Sequence, residues 1–137
     1  MKELAEGISS YFTARTTDAL YVALGGRLYY RRAPQKPVFP YAVFFMVSGV
    51  PDYYFSKSPE LQYESYQFSI FTKSASASDG ETLANNLRAL FDDAKISISG
   101  WTLVQWERIA DIYSPPIEED GVIIHQENIQ YNCIMSR

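Results

Sequence analysis

The one cysteine and the one histidine of this 137-residue sequence, Cys133 and His125, are the side chains best suited to act together in nucleophilic catalysis. A cysteine nucleophile needs a base within hydrogen-bond reach. Both residues lie in the alternating stretch from Val122 to Met135, a pattern typical of a β-strand. At about 3.4 Å per residue, extended chain places them about 27 Å apart. The spacing therefore predicts no catalytic dyad, and we expect Cys133 in the core and His125 at a partly exposed strand position.

The other arrangements of chemistry-bearing residues predict no catalytic, cofactor-binding or metal-binding site. Glu118, Glu119 and Asp120 are adjacent, without the alternating oxygen ligands of a calcium loop, and a single histidine leaves no ligand set for zinc. The glycine pair before Arg27 lacks the spacing and the Lys-Ser/Thr ending of a phosphate-binding loop. We interpret the acidic run as solvated and the glycine pair as a helix stop. We therefore do not expect an enzyme.

A cluster of basic side chains, interleaved with tyrosines, lies between residues 27 and 36. Its members are Arg27, Tyr29, Tyr30, Arg31, Arg32 and Lys36. Such a mixture could stack on bases and bind phosphates, or it could guard an edge strand and make ion-paired contacts between subunits. A formal net charge of −4 and a sequence pI near 4.9 oppose affinity for nucleic acid, so we predict no specific nucleic-acid binding. The favoured interpretation is a protein contact.

Aromatic residues make up 15% of the chain, with 11 Tyr, 8 Phe and 2 Trp. A tyrosine buries a large ring and keeps a polar hydroxyl, which suits sheets and protein interfaces. Tyr53, Tyr54 and Phe55 follow one another in the otherwise polar segment 51–60. We predict that these three rings, like the strand from Tyr29 to Arg32, contact another protein. The alternative is that they fold back over the sheet.

Hydrophobic periodicity divides the chain into helices and strands. We predict helices at 2–14 and 79–94, the second with a capping box from Ser78 to Glu81, and a short helical turn at 18–24. Predicted strands lie at 27–31, 41–48 (covered on both faces), 61–73, 96–106 (broken at Gly100) and 122–135, with a turn or long loop at 114–121, where paired prolines and Asp-Gly punctuate the strands. This order predicts one α+β domain over residues 1–137: an antiparallel sheet of about four to five strands with two helices packed on one face.

The acidic N-terminus has no signal-peptide character, and no stretch is long and apolar enough to cross a bilayer. We therefore expect a soluble protein made in the cytoplasm, with no membrane partner.

Several stretches together resemble a known family. They are residues 26–44, the Ser-Gly turn that follows, the strand at 66–71 and the pattern of the second long helix. This combination resembles the tail-completion proteins of long-tailed phages and prophages, also called tail terminators or tail-to-head joining proteins.

The resemblance implies a structural, non-enzymatic virion protein of the tail or neck, made in the bacterial host. It implies a homo-oligomeric ring, expected to be a hexamer, that caps the tail tube protein and presents a surface to the head-connector protein. In such a ring one surface must complement a different surface on the next copy. An acidic lumen would let DNA pass without adsorbing.

Two other classes of function remain open at this point. One is a small-ligand-binding protein or enzyme with a pocket between sheet and helices, lined by Trp101 and Trp106. Converging polar groups in such a pocket would favour this class, and solid packing would oppose it. The other is a regulatory adaptor, which also works through an interface but forms no ring.

Overall fold

A computed structural model describes residues 1–52, 61–74 and 76–137. Within them the helices are α1 (Lys2–Thr13), α2 (Ala19–Leu24) and α3 (Ser78–Phe91). The strands are β1 (Leu28–Tyr30), β2 (Tyr41–Asp52), β3 (Leu61–Lys73), β4 (Thr102–Glu119) and β5 (Val122–Ser136). The strands form one sheet in the order β1-β2-β3-β5-β4. The predicted α+β class is confirmed.

The sheet is mixed, whereas the sequence predicts an antiparallel one. Strand β1 runs parallel to β2, with Leu28 opposite Ala42, and the remaining neighbours are antiparallel. The connecting segment 31–40 contains Pro34, Pro37 and Pro40, which cannot supply the backbone donors of a hairpin. The chain therefore returns to the starting end of β1 before β2 begins.

The three helices cover one face of the sheet and enclose the core with it. Each helix contributes an apolar stripe, including Leu4, Ile8, Phe12, Leu20, Leu24, Leu83, Leu87, Leu90 and Phe91, all buried. The sheet contributes buried rings at Phe44, Tyr66, Phe68 and Tyr131. Phe68 and Phe91 meet with ring centroids 4.7 Å apart. Because each fully buried Leu or Phe contributes about 1.5–3 kcal/mol, this face fixes how the helices lie.

None of the described helices packs on the opposite face, which we call the open face; residues 31–33 border part of it, and Val43 is buried there. The prediction that residues 41–48 are covered on both sides is therefore wrong. On the open face, Tyr41 stacks on Phe71 with centroids 5.0 Å apart, and Phe45 is only half-buried. Neighbouring rings in the same sheet shield one another here in place of a second layer.

Of the turn or long loop predicted at 114–121, the structure has a tight hairpin turn, and residues 114–119 belong to strand β4. Strand β4 continues to Glu119, and the turn consists of Asp120 and Gly121, with φ of 53° and 77°. Pro115 and Pro116 are tolerated because β4 is an edge strand, and the register shifts between Ser114 and Ile117.

Two further local predictions are also wrong. The capping box does not form: the N-cap of α3 is Ala77, and Ser76 Oγ accepts a hydrogen bond from the Ser78 amide at 3.2 Å. Residues 96–98 form a single bridge, Ile98 to Trp101, in place of a strand. None of the described helices combines the length and apolar character that crossing a membrane requires.

Candidate assembly surfaces

Strand β1 divides its two predicted contact tyrosines between the faces of the sheet. Tyr30 points to the helix side, where its ring lies 5.1 Å from that of Phe44. Tyr29 lies on the open-face side, 6.3 Å from the ring of Tyr41. Both are half-buried. Since side chains alternate along a strand, the two cannot serve the same contact surface.

Three basic side chains, Arg31, Arg32 and Lys36, are exposed just after β1, and we call them the basic segment. Arg31 ends the strand with a φ of 70°, its amide still donating to Phe44 O at 2.9 Å. Arg27 instead stabilises the fold, because its Nε donates a hydrogen bond to Pro40 O at 3.0 Å. None of the three basic-segment residues forms an ion pair with a described residue.

The predicted contact residues Tyr53, Tyr54 and Phe55 lie outside the described residues, so their role stays a prediction.

The opposite edge of the sheet is formed by β4, and its hairpin with β5 carries a second candidate surface. Exposed apolar side chains run along β4: Val104, Ile109, Ile112, Tyr113 and Ile117. The run ends in exposed Glu118, Glu119 and Asp120, which we call the acidic turn. Sequence reasoning missed this surface, although Asp-Gly between two apolar runs is a strong hairpin signal.

Ion pairs hold the middle of β4 against α3. Arg108 contacts Asp92 at 3.2 Å and Asp111 at 2.7 Å, and Arg88 contacts Asp111 at 3.1 Å. Burial acts to lower the pKa of Arg108, but the carboxylates of Asp92 and Asp111 outweigh it and raise that pKa. These pairs are partly exposed, so each contributes up to about 1 kcal/mol, mainly by fixing the position of the strand.

A network of amides and hydroxyls fills the centre of the open face around buried Asn128. Asn128 Oδ1 accepts from Ser69 Oγ at 2.8 Å, Gln126 Nε2 at 2.8 Å and Gln67 Nε2 at 3.2 Å. Asn128 Nδ2 donates to Ser114 Oγ at 2.9 Å and to Ile112 O at 3.0 Å. These groups satisfy one another, which makes the centre of the face rigid and uncharged.

The two residues suited to catalysis remain apart in the unbroken strand β5. Cys133 is buried, as predicted, and burial together with nearby Glu64 raises its pKa to about 12, so the nucleophilic thiolate is not populated at neutral pH. His125 is also buried, contrary to the prediction, with Nε2 3.0 Å from Ser74 O. Among the described residues no three His, Cys, Asp or Glu side chains cluster as a metal site would require.

The two tryptophans of the ligand-binding alternative do not share a pocket. Trp106 borders a groove of about 610 Å³ between residues 93–97 and the start of β4, and Trp101 does not line it. Trp106 is buried in the core, and Trp101 is half-buried beneath the guanidinium of Arg137, 4.7 Å from its ring centroid. Another groove of about 610 Å³ lies where residues 37–40 face the first turns of α3, and neither tryptophan lines it.

The geometry thus defines an α+β sheet-and-helix fold with exposed charged and apolar side chains at its two sheet edges, and no catalytic constellation among the described residues. The sequence matches the family described as tail completion protein gp17 over residues 13–112. The chain therefore belongs to the tail completion protein family and is a structural protein of a phage-type tail, which confirms the resemblance.

Comparison with solved structures agrees on the fold. One similar chain comes from the virion of a native gene transfer agent particle, with 12% identity, a TM-score of 0.71 and 98% of each chain covered. A second has 14% identity, a TM-score of 0.54 and 94% of each chain covered. At these identities the likeness concerns the fold alone. No curated protein matches the sequence.

Proposed function

We propose that this protein forms a homo-oligomeric ring, a hexamer, that completes the tail tube and joins it to the head connector. The observation that carries the proposal is the family match over residues 13–112. The similar chain in the gene transfer agent virion supports a place in an assembled particle. The proposed role is mechanical, without catalysis, and the raised pKa of Cys133 and its separation from His125 support that part.

The two different edges of the sheet support the proposal of a ring. A head-to-tail contact uses two different surfaces on each copy and closes into a ring when the rotation permits. The described part of this subunit presents different surfaces at β1 and at β4, one basic and one acidic. The proposed partners are therefore further copies of the chain, the tail tube protein and the head-connector protein.

Removing the gene from its phage or prophage tests the completion role. Electron microscopy of the particles should show tails of uncontrolled length or heads without tails, and the wild-type gene supplied in trans should restore joined particles. Normal joined particles in the absence of the protein would contradict the proposal.

Light scattering on the purified protein tests the ring separately. We expect a concentration-dependent rise from the 15.6 kDa monomer to a closed oligomer, with or without tail tube protein. A protein that stays monomeric in both conditions would contradict ring formation and leave the deletion result to decide the tail role.

A further inference from the structure

The edge strand β4 and its acidic turn form a surface whose negative charges have no ion-pair partner among the described residues. Glu118, Glu119 and Asp120 are exposed and form no ion pair with a described residue. Beside them, Tyr113 and Ile117 are 60% and 59% exposed. The register places Tyr113 on the helix side of this edge and Ile117 on its open-face side, so apolar groups on both sides of the edge adjoin the charged turn, a composition that suits a protein contact.

The basic segment, at the other edge of the sheet, carries the opposite charge and also has an exposed apolar residue beside it. Arg31, Arg32 and Lys36 carry positive charge, and Val38 in the same connecting segment is 62% exposed. Strand order places β1 and β4 at opposite edges, four strand spacings of about 4.8 Å apart, and no ion pair joins the two surfaces within the described molecule.

Both surfaces extend toward the same end of the sheet. The connecting segment returns from Arg31, bonded to Phe44, to the start of β2 at Tyr41. The acidic turn projects from that same end, beyond the pairing of Lys73 with Ile124. Arg31 itself lies beside Phe44, three residues inside the sheet from that end. Copies placed side by side in one orientation, and shifted relative to one another along the strands, therefore bring the acidic turn of one copy against the basic segment of the next.

We propose that adjacent copies in the ring meet in this way: the β4–β5 hairpin of one, with its acidic turn, packs on the basic segment and Val38 of its neighbour. The inference rests on the proposed ring. The contact is made by side chains and does not continue the sheet, because Pro115, Pro116 and the bulges of β4 interrupt its free edge. Opposite charges fix the direction of each contact, which makes it head-to-tail.

Charge reversal tests the contact. The variant R32E/K36E makes both surfaces acidic, and E118R/E119R makes both basic; these choices avoid Arg31 and Asp120, whose φ values are positive. We expect each variant to lose the oligomer in light scattering, with the apparent dissociation constant at least tenfold higher. Equimolar mixing should produce oligomers that neither variant forms alone, and the fourfold variant should assemble again.

The control matched to R32E/K36E is K2E/K95E, which lowers the net charge by the same amount at exposed sites elsewhere and should assemble like wild type. Circular dichroism checks that each variant is folded. Where a charge-reversal variant does not fold, the neutral variant at the same positions, R32Q/K36Q or E118Q/E119Q, takes its place. Each neutral variant should also weaken assembly.

The outcomes separate this contact from the proposed function. If wild-type protein and both charge-reversal variants form oligomers equally well, the contact is overturned and the ring is not. The contact is also overturned if only one variant loses the oligomer, which would assign the surface changed in that variant to another partner. A fourfold variant that is folded but monomeric would also overturn it. Monomeric wild-type protein would overturn both the ring and the contact, while the tail role is judged independently by the gene-deletion particles.

Discussion

The indole of Trp106 stacks face to face on the phenol ring of Tyr131, with centroids 5.0 Å apart and planes 11° apart. Trp106 Nε1 donates to Phe91 O at 2.8 Å, and the Tyr131 hydroxyl donates to Asp92 Oδ1 at 2.7 Å. Burial, and next the hydrogen bond to Asp92, raise the pKa of Tyr131. The stack thus fastens the edge strand β4 and its neighbour β5 to the end of α3.

Replacing Trp106 should loosen this edge. Trp106→Ala leaves a cavity and an unpaired carbonyl at Phe91, so the free energy of unfolding should fall by about 3–5 kcal/mol. Trp106→Phe keeps a ring but not the donor and should lose about 1–3 kcal/mol. Urea unfolding followed by circular dichroism measures both. Trp101→Phe, at the half-buried tryptophan, is the control and should cost less; an equal loss would contradict the assigned role.

Gly7 is required by the close approach of α1 to the segment after α3. A Cβ at this position would lie 2.5 Å from Ser97 O and 3.0 Å from Ile96 Cγ2. Glycine to alanine inside a helix normally stabilises by up to about 1 kcal/mol, but here the clash should reverse the sign and destabilise by about 1–3 kcal/mol. Ser10→Ala, at an exposed position of α1, should not destabilise. A stabilised Gly7→Ala in thermal unfolding would disprove the close contact.

Glu64 is a buried carboxylate paired with the N-terminal ammonium of Met1 at 2.6 Å, its side chain only 1% exposed. Glu64→Gln leaves that ammonium without its charge partner and should lower the free energy of unfolding by about 3 kcal/mol. The exposed pair Lys2–Glu6, at 3.7 Å, supplies the matched control. Glu6→Gln should change stability by less than about 0.5 kcal/mol in urea unfolding. Equal effects would mean that burial adds nothing to the pair.

Glu127 makes stability depend on pH. Burial, and then repulsion from Glu81, raise its pKa, although Arg88 and His125 oppose the shift. The pKa of Glu127 is higher in the folded protein than in the unfolded one. As pH rises above about 4, ionisation of Glu127 therefore lowers the free energy of unfolding, and this loss is absent below about pH 4. Glu127→Gln should therefore raise the melting temperature at pH 7.

The advantage of Glu127→Gln should disappear as pH falls to about 4, where wild-type Glu127 is also neutral. Melting temperatures of both proteins between pH 4 and 8 measure this, with Glu6→Gln as the control. A difference that is constant with pH would assign the effect to packing.

The aromatic run Tyr53, Tyr54 and Phe55 is predicted to anchor assembly. Replacing all three by Ser should leave the circular dichroism spectrum unchanged and abolish the oligomer in light scattering, because buried aromatic anchors dominate interface energy. Val22→Ser, at a 66% exposed residue of α2, is the control and should assemble normally. Unchanged assembly of the triple variant would assign these rings to the subunit itself.

The sequence alone determined the elements whose side chains repeat with a clear period. The stripe of α3, the alternation of β3 from Leu61 to Lys73 and the apolar face of β5 were all predicted, because a one-sided contact with the core imposes that period. Family membership was also readable from the sequence.

Only the tertiary structure decided how these elements pair. The parallel pairing of β1 with β2 depends on where the proline-containing segment returns, which no local pattern encodes. Pro115 and Pro116 indicated a break in the strand because proline has no backbone N–H to donate to a neighbouring strand. Strand β4 lies at the edge of the sheet, and its outer side needs no such donor. The same holds for the acidic turn and the basic segment, which lie at opposite edges of the sheet. Their positions depend on the strand order, and the strand order depends on packing between residues far apart in the chain.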